Sequence, residues 1–232
     1  MIKEEIIHIG KTDKNILGII MSGSYNTNNF IDGWSDIDLL FVLREIIFKD
    51  VKSINNKCLE TSQRHSIKIG PSYLTEKEYN SKSCEFVSHK ANLIKYNFRF
   101  QISKIVFGDI KEVQVDLPKH TKYLLIQLTS FKDRLRYSVR NLHGFELFKE
   151  VAKCFQHIIL LACLLEDTVN IPSREICLKL FKDFNNDFTI INDVNKWKKT
   201  TSTLEEYNNY AKNIFNFSEQ FLDYISKRYS NV

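Results

Sequence analysis

Two short segments near the start of the chain carry side chains suited to phosphate and cation chemistry. Gly23-Ser24 follows the apolar run ILGII, and Ser35-Asp36-Ile37-Asp38 leads into a second one, LLFVL. In an extended chain residues i and i+2 share a face, so Asp36 and Asp38 point the same way. They would repel unless a cation lay between them. Hard carboxylate oxygens so arranged suit Mg²⁺, which is commonly held by one or two carboxylates together with substrate phosphates. Gly23 lets a phosphate approach the backbone closely, and Ser24 offers its oxygens a hydroxyl and an N–H. A metal and a phosphate cradle side by side are the equipment for phosphoryl or nucleotidyl transfer.

Such groups need rigid elements behind them. Residues 16–24 and 37–43 read as short buried strands, since both are apolar runs with turn residues outside them. Residues 25–35, rich in Asn, Gly and Ser, read as the loop between them. A short helix is expected within residues 1–15 and another over 45–64, and the alternation in 66–70 predicts a third strand. Thr75 with Glu78 forms a capping box, and the helix it opens is expected to run to about residue 104. Pro118 marks a change of character. Residues 120–166 read as two long helices split near 141–145, Pro172 and Ser173 open another, and residues 203–229 form a last amphipathic one. The boundary is placed near residue 117, with mixed α/β before it and all-α after. The chain holds no internal repeat.

With 232 residues and 43% hydrophobic content, the chain can bury a sizeable core. The formal net charge of +5 suits an anionic ligand such as a nucleotide. It falls short of the dense basic patch of a dedicated nucleic-acid binder. The five cysteines form no CxxC pair and their number is odd, as expected of reduced thiols in a cytoplasmic protein. No apolar run approaches the ~20 residues that span a bilayer, so no membrane partner is expected.

Gly-Ser, then roughly ten residues, then Ser-Asp-x-Asp ahead of an apolar strand resembles the signature of the nucleotidyltransferase superfamily with the polymerase-beta-like fold. The likeness is greatest to the minimal nucleotidyltransferases and to the aminoglycoside and lincosamide nucleotidyltransferases. The signature covers residues 23–41, and IVFGDI at 105–110 is similar to the strand-and-Gly segment that often closes the catalytic domain. The resemblance implies an α+β fold: a small mixed-sheet nucleotidyltransferase domain over residues 1–117, then an all-α helical bundle domain over 118–232. It also implies Mg²⁺ on Asp36 and Asp38, with a nucleoside triphosphate, ATP foremost, held at Gly23 and Ser24. A nucleoside monophosphate would pass to a hydroxyl of a small acceptor, antibiotics included, with the substrate lying between the domains. Two alternatives stay within the family: a catalytically impaired nucleotide-binding or regulatory protein, and an antitoxin-type enzyme that adenylylates a partner toxin. A homodimer is also open.

The chain departs from that pattern in one respect. The family places a third carboxylate on the following strand, which here falls in HSIKIGPSY. By parity its inward positions are Ser66, Lys68 and Gly70, and none is acidic. Lys68 turned toward the aspartates would set a positive charge where a metal is expected. Turned away, it would leave a gap at Gly70. In aminoglycoside-modifying relatives a glutamate of the helical domain serves as base, which implies Glu146 or Glu150 here. The plainer reading of either is a charged face on an amphipathic helix. Lys149 and Lys153 are candidates to hold the triphosphate, and Lys153, between Ala152 and Cys154, is preferred. Arg136 and His143 are spaced as in the ribonuclease motif of helical domains that partner minimal nucleotidyltransferases, a spacing that also arises by chance. Cys154 and His157, at i and i+3, could hold zinc, but without a second pair they read as core packing.

Overall fold

The computed structural model describes residues 1–27, 30–84, 87–167 and 172–230. Asn28 and Asn29 of the expected loop, Glu85 and Phe86 of the expected long helix, and Ile171 beside the Pro172 start signal lie outside the described residues. The first apolar run forms β1 (Ile16–Ser22) and the second forms β2 (Ile37–Leu43), paired antiparallel. β3 (Ile69–Thr75) runs parallel to β2, and β4 (Lys104–Phe107) runs antiparallel to β1. The mixed sheet therefore has the order β3-β2-β1-β4, and the fold is α+β.

β1 and β2 are central and covered on both faces, which is why they read as continuous apolar runs rather than alternating ones. Against one face, Ile2, Ile6 and Ile9 of α1 (Ile2–Thr12) and Ile54 and Cys58 of α2 (Phe48–His65) pack on Ile19, Leu39 and Phe41. The isoleucines of α1 recur at i, i+4 and i+7, one stripe of a helix. On the other face, Tyr79 of α3 (Glu76–Asn80) and Ala91 and Ile94 of α4 (His89–Tyr96) cover Ile20, Leu40, Val42 and Leu74.

Two expectations are corrected here. The third strand occupies 69–75 and not 66–70, because Ser66 takes a left-handed conformation, φ 52, that caps α2. Pro71 inside β3 is tolerated because β3 lies at the sheet edge. The long helix over 75–104 does not form. The capping box is real, with the Thr75 hydroxyl accepting from the Glu78 N–H at 3.3 Å and Glu78 Oε2 accepting from the Thr75 N–H at 2.7 Å. Yet α3 ends at Asn80, and Ser88 starts a separate helix by accepting from the Ala91 N–H at 3.2 Å. Serines at such places bond the backbone locally and punctuate helices. The rest of the stretch supplies a single 3₁₀ turn (Asn97–Phe100) and the start of β4.

The chain divides into two compact units, Met1–Asp116 and Leu117–Val232. The described residues of the second are helical, without a strand: α5 (Thr121–Asn141), α6 (Gly144–Leu165), α7 (Arg174–Leu180), α8 (Thr189–Trp197) and α9 (Leu204–Arg228). α5 and α6 divide inside the expected 141–145, and Ser173 caps α7 by accepting from the Ile176 N–H. The sequence reading passed over α8, although Ile190 and Val194 are buried one turn apart and Trp197 stacks on Tyr210 at 4.4 Å. Among the described residues, no helix is long and apolar enough to cross a membrane.

Candidate active site

The register sets Ser22 opposite Asp38, and Asp38 opposite Gly70, in one row across β1, β2 and β3. Ser22 ends its strand. Its hydroxyl is buried 2.8 Å from Ser103 Oγ and 3.4 Å from Asn97 Nδ2, which closes this side of the row. Gly23 then turns the chain with φ 101 and ψ −169, a backbone region open to glycine and strained for other residues. A 3₁₀ turn (Ser24–Asn26) follows, and Asn26 pins it from within. Its Nδ2 donates to the carbonyl of Met21 at 2.7 Å and to that of Ile102 at 2.9 Å.

The Gly-Ser turn and the Asp-x-Asp segment meet. A side chain begun at Gly23 would sit 3.7 Å from the carbonyl oxygen of Asp36 and 3.8 Å from Oδ2 of Asp38. Asp36 lies just before β2, half-buried, with its Oδ1 shielded from solvent. Asp38 divides its carboxylate. Oδ2 is the oxygen near Gly23, whereas Oδ1 lies 2.6 Å from Nζ of Lys90 in the first turn of α4. The same ammonium donates to the carbonyl of Gly70 at 2.5 Å. A Cβ on Gly70 would come within 2.3 Å of that nitrogen. The space the sequence left empty at position 70 is thus filled from another element. Lys68 is exposed and precedes the strand, its carbonyl accepting from the Ile37 N–H at 2.8 Å.

Neither a family model nor a curated protein matches the sequence. Geometry and chemistry therefore carry the functional reading. Among the described residues, no group of three or more His, Cys, Asp or Glu side chains is placed to hold a metal ion. Asp36 and Asp38 are hard carboxylate donors of the kind that fits Mg²⁺ when phosphate oxygens complete its shell.

The remaining candidates lie in the second unit, on or beside α6. Glu146 is exposed in its first turn, Glu150 forms an ion pair with Arg134 of α5, and Lys153 is half-buried. Arg136 grips Glu219 of α9 through two hydrogen bonds of 2.9 and 2.6 Å. His143 stands beyond the end of α5 as the N-cap of α6, so no helical face joins the two. Cys154 is buried and its thiol is pushed up to about 12 by that burial. His157 stacks on Phe131 at 4.5 Å. Burial first, then the charges of Arg134 and Lys153, push its imidazole down to about 4. Both belong to the packing between α5 and α6. Lys198 is pushed down to about 8 by burial and by the charge of Lys153.

Lys90 and Asn26 are the site residues that sequence reasoning missed. Asn26 stood in a segment read only as loop. Lys90 stands after a helix-capping serine, and nothing local to SHKANL indicates that its amine reaches β3.

Proposed function

We propose that this protein is a Mg²⁺-dependent nucleotidyltransferase, with a catalytic domain over residues 1–117 and a helical bundle domain over 118–232. It would work in the cytoplasm on ATP and a small hydroxyl-bearing acceptor. One observation carries the reading: the glycine turn after β1 and Oδ2 of Asp38 lie against each other at the same end of two paired strands. Gly23 keeps side chains out of that space, and Ser24 brings its hydroxyl and N–H to the turn that follows. Asp36 and Asp38 Oδ2 would hold Mg²⁺, which when bound neutralises charge on the leaving pyrophosphate. The chain's own work is to position the triphosphate against the acceptor. Five buried cysteines outside any disulfide are in keeping with a reducing compartment.

A second reading, a nucleotide-binding regulatory protein of the same fold, draws on the Lys90–Asp38 pair, since an ammonium on Asp38 competes with a metal. One pair of measurements separates the two. Calorimetry with a non-hydrolysable ATP analogue should show binding that requires Mg²⁺ and disappears in Asp38→Asn. Pyrophosphate release should then appear with one of a panel of hydroxyl acceptors. Binding without release across the panel moves the assignment to the regulatory reading, and Mg²⁺-dependent binding retained by Asp38→Asn removes the metal assignment. Glu150 is committed to Arg134, so Glu146→Gln is the sharper test of a carboxylate base; a base typically supplies about 10²–10⁴-fold.

A further inference from the structure

We infer that Lys90 is a tethered cation seated on the Oδ1 side of Asp38, so that the site admits a single divalent ion. This inference rests on the nucleotidyltransferase reading and refines it. Three distances define the seat: 2.6 Å from Nζ to Asp38 Oδ1, 2.5 Å to the Gly70 carbonyl, and 2.3 Å to the point where a side chain on Gly70 would begin. A cation bound there meets a carboxylate oxygen and a backbone carbonyl, the hard oxygens a divalent ion would choose. The ammonium also lies where a carboxylate from position 70 would project, so the absent acid and the present lysine belong to one arrangement. With an acid there, the site would hold three negative charges and call for two metals. With Lys90 there, charge is balanced by the chain itself on the Oδ1 side, and Oδ2 with Asp36 is left for one metal.

The seat is well placed for exchange. The side chains of Asp38 and Lys90 are 40% and 35% exposed, so water and ions reach the pair. Lysine is a flexible point charge and not a planar clamp, and it can withdraw without rebuilding the helix that carries it. Withdrawal would free Oδ1, and removal of the charge together with an acid at position 70 would open the seat to a second ion.

The test counts bound Mn²⁺ by electron paramagnetic resonance, with and without a non-hydrolysable ATP analogue. The wild-type protein with analogue should bind one Mn²⁺ per chain. Lys90→Met should bind Mn²⁺ alone about tenfold more tightly, since a competing unit charge a few ångströms away is gone. Lys90→Arg, which keeps the charge, should leave the count at one. Lys90→Met combined with Gly70→Asp should raise it to two. Two ions per wild-type chain, or an unchanged Mn²⁺ affinity in Lys90→Met, would overturn the inference. If Asp38→Asn still abolishes analogue binding in that case, the nucleotidyltransferase reading survives alone. If neither Mn²⁺ nor analogue binds to any variant, both fall.

Discussion

In the proposed site Asp38 would do two things with one carboxylate, and it stands beside two glycines of different kinds. Gly23 is required for its backbone, with φ 101, while Gly70 is required for space that an amine fills. Their alanine variants should therefore behave differently. Gly23→Ala should cost about 1–3 kcal/mol in denaturant unfolding, because the strained backbone has no way to relax. Gly70→Ala should cost less than about 1 kcal/mol, since what it meets is the movable end of a lysine. Equal losses would show that the amine is held as rigidly as backbone. On sequence alone, removing the charge of Asp38 should relieve repulsion and be neutral or stabilising in the metal-free protein. The ion pair with Lys90 argues for the opposite sign. For a pair this exposed, Asp38→Asn should cost up to about 1 kcal/mol, measurable by urea unfolding without metal. A gain in stability would mean that the two carboxylates still dominate.

At the scale of elements, what positions the site is a set of short local devices. Asn26 ties the glycine turn to the end of β1 and to the segment before β4, so Asn26→Ala removes two hydrogen bonds at once. A loss of about 1–3 kcal/mol is expected, with weaker nucleotide binding in the same variant. Binding that is unaffected would uncouple the turn from the ligand. In the second unit the contact between α5 and α6 carries a pH dependence. His157 is held below its usual 6.5, at about 4, by burial and then by Arg134 and Lys153. The unfolded chain takes up that proton first as pH falls. The stabilisation from a neutral His157 is therefore complete above pH 6.5 and is lost as pH falls toward 4, about 3 kcal/mol in all. Thermal melts should decline over that window, and His157→Phe should flatten the decline. An equally steep decline in the variant would assign it to other groups. β1 and β2 were legible as short continuous apolar runs with turn residues outside them, and the long helices because each repeats one hydrophobic period over its length. The segment 75–104 was not, because Ser88 caps a new helix inside a pattern that otherwise reads as continuous.

At the scale of the molecule, each unit has its own core. Phe41 lies fully buried in the central β2 of the first, and Phe221 lies among Phe181, Phe184, Phe188 and Phe217 in the second. Phe41→Ala and Phe221→Ala should each cost about 3–5 kcal/mol, and in calorimetry each should move a separate transition. A single transition shifted equally by both would show that the units unfold together. The sequence by itself determined the two central strands, the glycine turn and the paired aspartates beside them. Those follow from short apolar runs and from residue types that act within a few positions of each other. It also showed that no acid stands at Gly70, the one of the three expected inward positions that lies in β3. Only the tertiary structure decided what stands there instead. Lys90 is 20 residues from Gly70 and 52 from Asp38 in the chain, and its amine meets them because α4 packs against Leu40, Val42 and Leu74. That meeting depends on the register of β3 and the docking of a short helix, which are set by the sheet as a whole and by no local pattern.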